Sequence, residues 1–263
     1  AGFKAGLVAE SAIGNELIEV SGSGVGGLGA LVNTGATQTK AVGSITLLDD
    51  TTFGGTGRWD LRYGAFAVGG HTITKVGANT VSIVSATVTN PGDVNVNAGV
   101  FRFEGSTNYN AATPVTIAVA SGARLDYWGT NITHNPNIVL NGGTVSVNSN
   151  STPSFSGTIT LNAGGNIIGV GNEYQSPTLT VTGQITGTGG FTLNGRNTSS
   201  SPGTGILILA NTTNDYSGTT TISTGTLKLG AAGVIPDGVG KGNVVLNAGT
   251  AAAGTFDLNG FSE

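Results

Sequence analysis

Few residues in this chain have types and spacing suited to chemistry, and they are dispersed. The densest segment is Arg58–Tyr63, Arg-Trp-Asp-Leu-Arg-Tyr. On an extended chain Trp59, Leu61 and Tyr63 share one face, and Arg58, Asp60 and Arg62 share the other. An exposed Trp/Tyr strip would stack on sugar rings. An inward one would leave an outer Arg-Asp-Arg row of charge pairs, and that arrangement is the expected one. Asp49-Asp50 is the one paired carboxylate after a strand-like run (Ser44–Leu48) and suits calcium or acid/base work. Adjacent residues on an extended chain point apart, so the two converge only across a bend, and a turn is expected. His71 and His134 are the only histidines and stand far apart in the chain. Neither has a carboxylate or second imidazole at ligand spacing, so both are expected as surface polar residues.

The eight aspartates bear on enzymatic activity. A polysaccharide lyase or hydrolase needs carboxylates gathered on one face. The step from Asp60 to Asp93 equals the step from Asp93 to Asp126. Neither is a whole number of the repeat described below, so no shared stripe is expected. No catalytic, cofactor or metal residue is assigned. Tyr127 and Trp128 point to opposite faces, so one of them is expected to be exposed. Trp59, Tyr63, Tyr127 and Trp128 are the candidate contacts for a glycan or a partner. The Ser-Gly-Ser-Gly at 21–24 is not a phosphate loop, because no strand leads into it and no helix with Lys-Ser/Thr follows.

The elements that must position these residues are short strands. In Val94–Phe103 and Ile138–Val147 apolar residues stand at −5 and −3 from a turn glycine and at +2 and +4. Ile222, Gly225, Leu227 and Leu229 repeat the layout. Its upstream half recurs at Gly122, Gly164 and Gly249. This is the period-2 pattern of half-buried strands around a turn that needs φ > 0. Gly99, Gly122, Gly143 and Gly164 recur in nearly even steps, and a strand-and-turn period in the low twenties is that of a solenoid. After Gly122 the pattern is one residue late, which implies a bulge or a longer corner.

Composition agrees. Glycine (46 of 263 residues), Thr, Asn and Ser recur too often for helices. Ala12–Val20 is the one weak helical candidate. Charge is low at 9%, with 38% hydrophobic residues and a net charge of −4, which is not a disordered composition. Five Lys and five Arg without a basic run argue against a nucleic-acid partner. No apolar run is long enough for a membrane span. With no Cys, disulfides and thiolate metal sites are excluded. There is no Met, and the chain opens Ala-Gly, compatible with a processed product or fragment of an exported protein. Residues 1–20, with three of the six glutamates, are expected as a cap or arm, and 21–263 as the repeat domain.

Residues 184–263 resemble the autotransporter-associated β-strand repeat of secreted bacterial surface proteins. The likeness is carried by Ile185–Phe191, Leu207–Leu209, Tyr216–Thr220, Gly225–Gly230, Val244–Gly249 and Phe256–Ser262. Gly57–Leu61, Thr74–Asn79 and Pro91–Val94 extend it. The resemblance implies an all-β fold, a single right-handed parallel β-helix displayed outside a bacterial cell, with no shared catalytic residues and no cofactor. A period of roughly 21 residues predicts about 11–12 rungs and a rod of about 55 Å. The expected function is a structural β-solenoid of an extracellular fibre or surface layer. Self-association would run head to tail through Phe3, Leu7 and Val8 at one end and Phe256, Leu258 and Phe261 at the other. The alternative is an adhesin or carbohydrate-binding passenger that contacts surface glycans.

Overall fold

The computed structural model describes residues 16–162, 164–171, 175–195, 204–246 and 254–263. These form a β-solenoid of about nine turns. Among the described residues there is no α-helix, only a 3-10 turn at Val25–Gly27. Each rung contributes up to three short strands, and each strand pairs in parallel with its equivalents in the rungs before and after.

The second face of the coil is the most regular. Ten strands stack along it in sequence order, from Gln38–Val42 through Val100–Glu104 to Val244–Leu246. Nine gaps at about 4.8 Å make a rod of about 43 Å. The first face runs Ile73–Lys75, Val94–Val96, Thr116–Ala120, Asn137–Asn141, Ile159–Leu161 and Ile185–Thr186. Later rungs add a six-stranded third face, from Thr133–His134 to Thr255–Asp257. In the early rungs Ala65–Ala67 and Thr87–Thr89 hold the same place in the chain order.

Alternation explains the core. In-register pairing stacks Val81, Phe101, Leu125, Val145, Ile168 and Leu193 in one inward column. Ile83, Phe103, Tyr127, Val147 and Val170 form a second. All eleven are fully buried. The template glycines mark the corners. Gly99 and Gly225 have φ of 67° and 81°. A Cβ on Gly99 would lie 2.4 Å from the Asn79 carbonyl oxygen, so the preceding rung leaves no room there.

Several expectations are corrected. There are about nine turns rather than 11–12. The rung is not constant: Thr80 pairs with Val100, but Phe191 pairs with Thr220, a step nearly half as long again. Residue 17 opens a strand, Leu17–Gly22, which pairs in parallel with Ser44 onward, so the end of the helical candidate is extended. After Gly122 the extra residue is buried Ala123 in a longer corner, and register continues without a bulge. Asp49-Asp50 lies within the strand Ser44–Gly55, at a corner where its partner changes from Ala65–Ala67 to Ile73–Lys75. In the Gly249 repeat Leu246 is exposed, and Gly249 itself lies outside the described residues. Tyr63 does not join Trp59 and Leu61 inside. Its φ of 64° breaks the alternation after Arg62, and the ring is 60% exposed.

Phe103 is a packing hub. Its ring centroid lies 5.3 Å from Phe101, 4.7 Å from Tyr109 and 5.6 Å from Tyr127. Phe103→Ala is expected to lower unfolding free energy by about 3–5 kcal/mol in denaturant titrations. Exposed Leu48→Ala is expected to change it little.

Candidate functional site on the outer faces

The outward side of the second face carries a connected set of ion pairs. Register stacks Asp60, Ser82, Arg102, Asp126, Ser146, Gly169 and Asn194 in one column. Asp60 and Asp126 therefore do share a stripe, three rungs apart, contrary to expectation. Asp93 stands off this stripe, just before the first-face strand Val94–Val96.

Asp60 accepts hydrogen bonds from Arg58 Nε (2.7 Å), Arg58 Nη2 (2.9 Å) and Arg62 Nη2 (2.9 Å). Arg58 also reaches Glu104 at 3.4 Å, and Ser82 Oγ donates to the same carboxylate. The Asp60 hydrogen bond holds the Arg58 guanidinium above its ordinary pKa despite partial burial. Asp126 accepts from Arg102 Nε (2.7 Å), Ser146 Oγ (2.8 Å) and Asn148 Nδ2. The Arg102 guanidinium lies over the Trp128 ring, 4.9 Å from its centroid. The two carboxylates lie outside the barrel wall yet have no exposed side-chain surface, because flanking arginines cover them.

Three rungs separate Asp60 from Asp126 by about 14 Å. That exceeds the about 5–9.5 Å of a glycosidase carboxylate pair; Glu104 stands nearer to Asp60 and shares Arg58 Nη2 with it, and all three carboxylates are tied to guanidinium. The belt is a hydrogen-bonded polar surface. Of the four aromatic candidates, two lie on it or at its edge: half-buried Trp128 and exposed Tyr63. Trp59 and Tyr127 are 2% and 0% exposed. Both point inward by alternation, and Trp59 Nε1 donates to the Gly54 carbonyl, so neither reaches a surface ligand.

The corner between the third and first faces is a second ordered surface. Asp50 Oδ1 accepts from Thr72 N (2.7 Å), Asp93 Oδ1 from Thr116 N (2.7 Å) and Asn137 Oδ1 from Thr158 N (3.0 Å). An acidic or amide side chain thus ties alternate rungs at this edge. Asn162 Nδ2 donates to Asn141 Oδ1 (2.6 Å), an Asn-to-Asn contact between successive rungs. At the first of these corners the fold unites residues that sequence reading kept apart. Asp49, Asp50 and His71 place ligand-capable atoms within 4.8 Å of one another. The signal was that His71 follows Asp49 by one whole rung.

His134 is not a surface residue. It is 2% exposed, between Tyr127 (4.4 Å between centroids) and Phe155 (6.0 Å), with Nε2 3.1 Å from Thr130 Oγ1. Burial lowers its pKa to about 4. Lys75 is a further buried ionisable group outside the sequence-derived candidates. Its Nζ donates to the carbonyls of Val76, Gly77 and Ala98, and burial lowers its pKa to about 8.

Among the described residues no helix is long and apolar enough to cross a membrane. The chain is similar to the adhesin BmaC autotransporter of Brucella suis biovar 1 (strain 1330), with 36% identity over 125 residues. That alignment covers 48% of this chain and 3% of the relative, so the chain spans a small fraction of that protein's length. No family model matches the chain, and no solved structure matches it. The class is thus a parallel β-solenoid with partial likeness to an autotransporter adhesin.

This chemistry sets two expectations for stability. His134 is neutral in the fold, and its pKa lies below the unfolded value near 6.5. Its contribution is complete above about pH 6.5 and is lost as pH falls toward 4. Stability should drop by about 3 kcal/mol across that window relative to a His134→Leu chain, as read by denaturant titration at each pH. Asp126→Ala uncovers Arg102 and should cost about 3 kcal/mol. Asp257→Ala, at the exposed Lys228 pair, should leave the unfolding midpoint nearly unchanged.

Proposed function

We propose that this chain is a rung array of a secreted, surface-displayed adhesin without enzymatic activity, and that the second-face belt is its contact surface. The observation that carries the reading is the likeness to an autotransporter adhesin, on a solenoid with an ordered polar belt along one outer face. Parallel stacking presents outward side chains at a fixed spacing of about 4.8 Å, which suits an extended ligand such as a cell-surface glycan. Tyr63 and Trp128 supply aromatic surface, and Arg58, Arg62 and Arg102 supply donors beside it. The test is binding of the purified chain to glycan arrays and cultured host cells. Retention is expected, with at least a fivefold loss in Tyr63→Ala/Trp128→Ala. Binding that is absent, or indifferent to both substitutions, refutes the belt as the contact surface.

A second reading is head-to-tail stacking into a fibre or surface layer, through apolar side chains of the last described rung. Val245, Leu246, Leu258 and Phe261 are 38%, 53%, 50% and 39% exposed. Phe256 is half-buried against the core. The opposing candidates Phe3, Leu7 and Val8 lie outside the described residues. Stacking of this kind predicts sedimentation coefficients that rise with concentration, and a return to monomer in Leu258→Asp/Phe261→Asp. A monomer at every concentration removes this reading and leaves the adhesin intact.

A further inference from the structure

We propose that Asp49, Asp50 and His71 form a binding site for a first-row divalent cation, of which zinc is the probe. In the column one residue before the corner ladder, Asp49 and His71 are neighbours on successive rungs. His71 Nδ1 lies 4.0 Å from Asp49 Oδ1, and the Asp50 carboxylate completes a set within 4.8 Å. A tetrahedral zinc site with bonds of about 2.0–2.1 Å needs ligand atoms about 3.4 Å apart. Small rotations of these exposed or half-buried side chains close that difference.

The groups are placed before any ion arrives. Asp49 Oδ1 accepts from Asp50 N (2.8 Å), and Asp50 Oδ1 from Thr72 N (2.7 Å). Each carboxylate keeps its second oxygen for another partner. The His71 backbone is fixed by N–H donation to the Val68 carbonyl after two left-handed glycines, Gly69 and Gly70. A Cβ on Gly69 would sit 3.0 Å from His71 Cδ2, so the imidazole rests against this turn.

Corner architecture does not require this chemistry. At the equivalent corner Asn137 holds Thr158 N with an amide, and Asp93 does the same work with Gly92 beside it. Among these three corners, this one alone carries a second carboxylate and an imidazole. Among the described residues no Lys or Arg forms an ion pair with Asp49 or Asp50. Two adjacent carboxylates without a cationic side-chain partner leave their negative charge available to a cation from solution. The imidazole selects zinc-like metals over calcium, which takes oxygen ligands.

The experiment is isothermal titration of ZnCl2 into the full chain after chelator treatment and dialysis. One saturable site per chain is expected. His71→Asn and Asp49→Asn should each weaken it at least tenfold, with far-UV circular dichroism unchanged. Asp93→Asn, at the same corner geometry outside the cluster, should leave it unchanged. Absence of a saturable site, survival of full affinity in His71→Asn, or tighter binding of CaCl2 than of ZnCl2 overturns the assignment. None of these results depends on whether the belt binds glycans.

Discussion

Parallel, in-register hydrogen bonding between rungs is the constraint on which everything else in this protein rests. It places each residue about 4.8 Å from its equivalent one rung away and points both the same way. Apolar residues then collect in continuous inward columns, and polar ones in continuous outward columns. A single rung cannot bury its own apolar face, so stability is shared between neighbours. The cost is steric. Where corners of successive rungs approach, only glycine fits, as at Gly99.

The same constraint makes the surface. Charges distant in sequence become neighbours on one stripe, and Arg102 and Asp126 pair because they are register partners. Buried carboxylates on an outer face are costly unless fully bonded. Asp60 and Asp126 meet that condition through guanidinium donors, with hydroxyl and amide donors added at Asp126. The product is a polar belt with Trp128 laid against Arg102. Such a surface offers donors and aromatic faces for contact, in keeping with the adhesin reading.

Much of the fold was legible in the sequence, because alternation around a turn glycine is a local signal. Val94, Val96, Phe101 and Phe103 around Gly99 are all buried as their spacing requires. The number of turns was not legible, because rungs lengthen between strands without altering the strands themselves. The site was legible only in part. Arg58, Asp60 and Arg62 were readable as an outer charge row from one segment. The Asp49–His71 contact and the Asp60–Asp126 stripe stand one and three steps of about 22 residues apart, and the intervening Asp93, off the stripe, masked the second. His134 was missed because its strand, Thr133–His134, is too short to show alternation. Tyr63 was misplaced because a single left-handed residue reverses the inward sense.

Register is also what a direct measurement can test, since the chain contains no cysteine. Asn95 and Ala118 are register partners on adjacent first-face strands, at a separation a disulfide can span. The Asn95→Cys/Ala118→Cys chain should oxidise to a monomeric cross-linked form in high yield. The Asn95→Cys/Ala120→Cys chain, displaced from that register, should oxidise poorly. Equal yields, or preference for the shifted pair, would contradict the stacked-rung account and with it the belt and the corner cluster.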